Sequence, residues 1–163
     1  MRRTRQFVTL LVGLGLAGVA VGCASKSSSS HDVASDSVLE IRAGDTVTVD
    51  GWSKTDQVVG GRPVWMSPEP AVDDSMVEDA RVTLDAAGRP AVLVTLDSEG
   101  AARLQELTTR RTSRPVVVVV DGEPVSAPIV LSPLGGSFMV TAAELDETEA
   151  KDFAARLRDA GKE

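Results

Sequence analysis

Between Val77 and Thr109 the hydrophobic pattern changes period. Ala80, Val82 and Leu84 alternate with Arg81, Thr83 and Asp85, the two-residue repeat of a half-buried strand. Ala86-Ala87-Gly88-Arg89 reads as a turn, and Pro90 can only begin the strand that follows, so residues 91–96 (AVLVTL) complete a hairpin. The repeat then lengthens to that of a helix capped by Asp97 or Ser98. Ala101, Leu104, Leu107 and Thr108 share one side of it, while Arg103, Gln105 and Glu106 face away. Arg110 and Arg111 stand at its end, where the helix dipole favours positive charge.

Five consecutive valines, Val116 to Val120, follow Pro115. A run without polar alternation predicts a strand covered on both faces, in the middle of the sheet. Asp121-Gly122 is a two-residue hairpin signal. Residues 123–130 return as a strand that Pro124 and Pro128 restrict to an edge or a bulge. Pro133 to Gly136 form a loop in which Gly135 and Gly136 permit unusual backbone angles, and Ser137 to Thr141 make a short last strand with Phe138 and Val140 on one side. Asp146 and Glu149 have capping-box spacing and open a helix with Ala150, Phe153, Ala154 and Leu157 on one stripe, stopped by Gly161. The predicted fold is α+β: a largely antiparallel sheet with two helices packed on one face, in the order β-β-α-β-β-β-α. Ahead of it, residues 38–71 read as a lead-in segment. VLEIRAG is one strand there and TVTV a second, and a turn-rich connection runs from Trp65-Met66-Ser67-Pro68 to near Val72.

The N-terminus has a different character. Arg2, Arg3 and Arg5 precede an uncharged run, Phe7 to Gly22, that ends in small residues, the pattern of a secretory signal peptide. The run is shorter than the roughly 20 residues that cross a hydrocarbon core. Ala20-Val21-Gly22-Cys23 resembles the lipobox of bacterial lipoproteins, with Ala20 where leucine is more usual. That resemblance implies cleavage before Cys23 and acylation of its thiol. Cys23 is the only cysteine, so it can form no internal disulfide, and acylation removes a lone thiol from an oxidising compartment. Two or three acyl chains anchor stably where one is marginal. Residues 24–37 are serine-rich, carry the only histidine, His31, and read as a flexible tether. Ala24, rather than aspartate, leans toward the outer membrane, facing the periplasm, if the source is diderm.

Charge then removes several function classes. The chain carries 17 basic and 24 acidic residues, and loss of residues 1–22 removes three of the basic ones only, which takes the net charge from −7 to about −10. No basic patch with interleaved aromatics is present, so nucleic acid is not expected as a partner. An enzyme is not expected either. His31 lies in the tether, Cys23 is acylated, and Ser126 and Ser132 could turn only to Lys54 or Lys151 for activation. The carboxylates at Asp73, Asp74, Glu78 and Asp79, and at Glu144, Asp146, Glu147 and Glu149, lack calcium-loop spacing and read as solvated loop and cap residues. No metal or cofactor is therefore expected. Trp52 and Trp65 are expected to pack rather than to bind.

Three runs carry a family resemblance: SMVEDARVTLDAAGRPAVLVTLDSEGAARLQELTTR (75–110), RPVVVVVDGEPVSAPIVLSPLGGSFMV (114–140) and ETEAKDFAARL (147–157). Together they resemble the periplasmic P1 head subdomain of the protein-export membrane protein SecD over roughly residues 72–160. DGEPVSAPIV and the Gly135-Gly136 loop are the most specific parts, and Ala143 stands where relatives often place a glycine. The chain divides accordingly into a leader (1–22), lipidated Cys23 with its tether (23–37), the lead-in (38–71) and a head-like domain (72–160). The resemblance implies contact with unfolded exported proteins or Sec translocon subunits, in a cell envelope, from a membrane-held lipoprotein. The residues expected to form a polypeptide-binding edge and loop are Gly122, Pro124, Val125, Ser126, Ala127, Pro128, Gly135 and Gly136, with strand addition as the binding mode. The alternative is that Pro124 and Pro128 protect an edge from such pairing, and that the domain is a scaffold for a dedicated folded partner unrelated to export.

Overall fold

A computed structural model describes residues 37–141 and 145–162. The leader, Cys23, His31, the tether up to Asp36, and Ala143 lie outside the described residues. Eight strands and two helices follow in order: β1 (Leu39–Asp45), β2 (Ser53–Val59), β3 (Arg62–Asp73), β4 (Val77–Leu84), β5 (Pro90–Leu96), α1 (Ser98–Arg110), β6 (Val116–Val120), β7 (Glu123–Ser126), β8 (Ser137–Val140) and α2 (Glu147–Ala160). From β4 onward the order is the predicted β-β-α-β-β-β-α. All pairings are antiparallel, and they divide between two sheets, β2-β3-β1-β6-β7 and β4-β5-β8. A 3-10 turn at Asp74–Met76, capped by the Asp73 side chain on the Ser75 N–H, carries the chain from one sheet to the other.

The two sheets and both helices share one core. Leu39, Ile41, Val72, Val116 and Val118 of the first sheet meet Ala80, Val92, Val94 and Val140 of the second, with Leu104 of α1 and Ala150, Phe153, Ala154 and Leu157 of α2. A second, smaller cluster on the other face of the five-stranded sheet holds Val64, Val117 and Val119, closed by Val59, Met66 and Ala127. The five valines thus alternate between two cores. β6 stands next to the edge of its sheet and β1 is the central strand, so double burial here reflects a core on each face rather than a central position. Burying each such valine is worth roughly 1.5–3 kcal/mol.

The lead-in departs most from its expectation. Residues 46–49 form no strand; β2 begins at Ser53 instead. Its sequence, SKTDQVV, hides its apolar side because the one buried position is a threonine, whose Oγ1 donates to the Val64 carbonyl at 2.9 Å. The connection expected from Trp65 to Val72 is the body of the twelve-residue β3. Its Pro68 and Pro70 are accommodated by register shifts opposite Arg42. The Arg42 guanidinium fills this gap by donating to the carbonyls of Ser67 and Pro68. The strand expected over 123–130 ends at Ser126, and pairing resumes as a single bridge between Pro115 and Ile129.

Two local devices behave as their residue types demand. The turn joining β6 to β7 has Asp121 at φ 51° and Gly122 at φ 79°, the left-handed pair that a two-residue hairpin needs. Asp146 accepts from the Glu149 N–H at 2.8 Å while the Glu149 side chain accepts from the Asp146 N–H at 3.0 Å, completing the capping box of α2. Gly161 ends α2 for another reason than backbone freedom. Its φ of −70° suits any residue, but an added Cβ would collide with the Val77 carbonyl.

At one end of the five-stranded sheet, Asp45 is clamped. Its carboxylate accepts from Arg111 Nη2 at 3.1 Å, Arg114 Nη1 at 2.6 Å and the Val47 N–H at 3.3 Å, and the Arg111 guanidinium lies 5.4 Å from the Trp52 ring centroid. Burial alone pushes this carboxyl up; the Val47 N–H and the charges of Arg111 and Arg114 outweigh it and hold the group below its ordinary 3.8. A lowered folded value means that the clamp stabilises the protein above the unfolded value and ceases to do so as pH falls through the folded one. Asp45→Asn is expected to cost about 1.5–3 kcal/mol in urea unfolding at pH 7. The gap from the parent protein should close as the pH drops below about 3.8. Gly161→Ala is expected to lower stability by about 1–3 kcal/mol through overpacking. Helix propensity alone would raise it by up to about 1 kcal/mol, so the sign of the change in the same unfolding measurement separates close approach from propensity.

Candidate polypeptide-binding groove

The β6–β7 ladder contains one bulge. Val119 pairs with Pro124 and Val118 with Ser126, which leaves Val125 as the extra residue. A bulge re-aims the side chain it leaves unpaired, and Val125 lines a groove of about 360 Å³ where the main core opens to solvent. Val120, Val140, Leu145 and Phe153 complete an apolar floor contributed by β6, β8, the approach to α2, and α2 itself. Val120, Val125 and Leu145 are half-buried against the main core, so the floor is continuous with it.

The rim is mostly acidic. Asp121, Glu149, Asp152 and Arg156 surround the opening. Arg156 is committed to Asp121, with Nη1 donating to Oδ2 at 3.2 Å and Nη2 to Oδ1. Glu149 is engaged by the capping box. Asp152 is exposed beside them. An apolar floor of this size with carboxylates at its mouth can take up one or two aliphatic or aromatic side chains whose neighbours carry positive charge.

The residues singled out from sequence divide between two places. Gly122, Pro124 and Val125 lie at or beside the groove, and Ser126 closes β7. Ala127 turns to the second cluster, and the Pro128 carbonyl accepts from the Val116 N–H at 3.0 Å. Gly135 and Gly136 lie apart from the groove, Gly136 against Ala101 near the start of α1 and Gly135 in open space beside it. Neither has a left-handed φ, contrary to expectation. Gly136 is there for contact: its carbonyl accepts from the Leu96 N–H at 2.7 Å, and a Cβ would stand 3.0 Å from that of Ala101. β7 is the edge strand that Pro124 and Pro128 predict. The Pro124 carbonyl, however, already accepts from Gln57 Nε2 of β2 at 2.8 Å, so the outer edge is not vacant at that position. In the sequence the groove-lining side of α2 is a core stripe and nothing more. Phe153, the one aromatic on that stripe, was the available signal; Arg156 had none.

Trp52 and Trp65 are both half-buried, Trp52 under Arg111 and Trp65 paired with Asp45 and Lys54 across β1 and β2. Of the carboxylate clusters, Asp73 and Asp146 cap helical turns, and Asp74 accepts from Ser37 Oγ at 2.8 Å and from the Val38 N–H. No helix among the described residues is long and apolar enough to cross a membrane.

Comparison with known proteins agrees with this architecture. The family model for the SecDF P1 head subdomain matches residues 52–161. The protein translocase subunit SecD of Treponema pallidum is 38% identical over 95 residues, covering 56% of this chain and 16% of that subunit. SecD of Acidaminococcus fermentans is 31% identical over 83 residues, 50% of this chain and 20% of its own length. The chain thus spans no more than about a fifth of the curated relatives it matches. A solved structure of SecDF, a membrane component that enhances protein export, superposes on 78% of this chain and 64% of its own with a TM-score of 0.59 at 23% identity, a likeness of fold. With two antiparallel sheets, two helices and the matched span from Trp52 to Gly161, this chain belongs to the SecDF P1 head subdomain family.

Proposed function

We propose that this chain is a non-catalytic envelope lipoprotein, held to a membrane through acylated Cys23, whose head domain binds exported polypeptides in the groove between the β6–β7 hairpin and α2. The observation that carries the reading is the groove itself: an apolar opening of the main core at a bulged residue, Val125, within a P1 head fold. A main core left open costs solvation of apolar surface, and a ligand that covers it recovers that free energy. Unfolded polypeptide in an envelope is rich in the side chains that would do so. Residues 1–22 are the leader in this reading, 23–37 the lipid-bearing tether, 38–71 the lead-in and 72–160 the head domain.

The binding mode favoured here is side-chain insertion, because Gln57 already occupies the outward carbonyl of Pro124. Strand addition along Ser126, Ala127 and Pro128 would meet a chain whose carbonyl at Pro128 is bonded to Val116. Gly122 supplies the turn that holds Val125 in place; Gly136, following Gly135, sets its loop against Leu96 and Ala101.

A photoactivatable residue placed at Val125 in the full chain, irradiated in exporting cells, is expected to yield adducts with many unrelated exported proteins. Val125→Asp, tested with a photoactivatable residue at Asp152, should reduce them several-fold. One stoichiometric folded partner instead would make the domain a scaffold. Separately, the chain is expected to incorporate labelled palmitate in cells, and Cys23→Ser to lose the label and retain its leader. Equal labelling of both forms would overturn acylation at Cys23.

A further inference from the structure

Among the described residues the two sheets end in β2, β7, β4 and β8, and the first three of these edges are blunted. β7 carries Pro124 and a bulge, and Gln57 Nε2 donates to its Pro124 carbonyl. β4 carries Glu78, Asp79 and Arg81; Arg158 Nη1 donates to its Ala80 carbonyl, and Gly161 closes on the Val77 carbonyl. β2 carries Lys54 and Asp56, and its pairing is interrupted between Lys54 and Val58. Charge, proline, bulges and covering groups keep a strand edge from pairing with another chain. β8 has no charge, no proline and no break in its register with β5, and no described strand pairs with its other side.

The bonding parity of β8 decides which groups that edge presents. The Leu96 N–H donates to the Gly136 carbonyl at 2.7 Å. From there Thr95 stands opposite Ser137, Val94 opposite Phe138, Leu93 opposite Met139 and Val92 opposite Val140. Bonded and non-bonded pairs alternate in an antiparallel ladder, so Phe138 and Val140 are tied to β5 while Ser137 and Met139 turn N–H and C=O outward. The same alternation across β5 turns the Ala80 carbonyl of β4 outward, where Arg158 meets it. Ser137 is exposed and Met139 is 47% exposed, so solvent reaches the edge.

We propose that the outer edge of β8 takes an extended segment of exported polypeptide as a fourth strand of the β4-β5-β8 sheet. This rests on the groove reading above and deepens it by naming the backbone that delivers a side chain to the groove. N–H and C=O groups alternating along a strand are matched by another extended backbone. α2 covers β4 and β5, whereas Val140, at the end of β8, lines the groove. A residue of the added strand beside Val140 therefore stands at the apolar floor. The rim there holds the carboxylates of Asp121, Glu149 and Asp152 against the single guanidinium of Arg156, which Asp121 already engages. Glu149 and Asp152 are in no ion pair among the described residues. The occupant is thus an alternating apolar segment with lysine or arginine beside it. A second copy of this chain fits poorly: its β8 lies within residues 124–143, which hold no basic side chain, and it brings the same acidic rim and a net charge of −7.

The full chain is titrated with a fluorescent peptide of alternating valine and threonine flanked by lysines, and binding is read by anisotropy. Two further versions carry backbone N-methyl groups, one on every valine and the other on every threonine. An added strand turns one set of N–H groups to β8 and the other to solvent, so one version should lose affinity about tenfold and the other bind as before. Loss in the threonine version marks antiparallel addition, and loss in the valine version parallel. Met139→Pro removes an outward N–H that β5 does not use and should weaken the unmethylated peptide similarly. Glutamates in place of the lysines should weaken it several-fold. Equal binding of all three versions, lost in Val125→Asp, overturns strand addition and leaves side-chain insertion standing. No binding of any version, with crosslinks at Val125 retained, overturns the edge alone; loss of both overturns both readings. Self-association that Met139→Pro abolishes, with methylation without effect on the peptide, assigns the edge to a second copy and overturns the proposal.

Discussion

The structure depends on β6 being buried on both faces. Val116 and Val118 anchor the main core that joins the two sheets and two helices, while Val117 and Val119 anchor the smaller cluster against Val64. β1 pairs with the whole length of β6, from Leu39 opposite Val120 to Ala43 opposite Val116. The N-terminal strands are thereby part of the same sheet as the hairpin that carries the groove. Remove the second cluster and β6 would face water on one side, with β2 and β3 left without a core to close.

Because β6 is held so completely, its two ends can be used for different chemistry. At Val120 the hairpin turns through Asp121 and Gly122, and the bulge at Val125 leaves the main core open under an acidic rim. At Val116 the N–H donates to the Pro128 carbonyl, while Ser113 and Arg114 just before it hold the backbone of buried Val130. The Asp45 clamp belongs to this second end. It gathers Arg111 and Arg114 onto one buried carboxylate and places Trp52 under Arg111, fixing the end of α1 to the end of β1. A single strand held on both faces thus separates the apolar groove from the Asp45 clamp.

Thr108 shows how a polar residue can belong to an apolar stripe. It lies on the inward side of α1 with Leu104, donates from Oγ1 to the Leu104 carbonyl at 2.7 Å and accepts the Leu134 N–H. One hydroxyl therefore satisfies itself within the helix and also holds the loop that follows β7. Thr55 does the equivalent between β2 and β3. In both places a buried polar group is tolerated because its hydrogen bonds are complete.

Local patterning determined a good deal of this protein. The alternation of Ala80, Val82 and Leu84, the cap at Asp97, the Asp121-Gly122 turn and the Asp146–Glu149 box each depend on neighbours a few residues away, and each formed as its residues dictate. The order of elements after β4 and the family resemblance followed from them. What depends on distant partners was not legible. β2 carries its buried position on a threonine whose partner, Val64, is nine residues on, and Pro68 and Pro70 of β3 sit at register shifts where Arg42 bonds the carbonyls of Ser67 and Pro68. The five valines announced double burial but not that two separate cores supply it. The groove needs Val125 from a bulge, Val140 from the other sheet and Phe153 from the last helix. No stretch of sequence contains that juxtaposition, because it is created by packing between elements far apart in the chain.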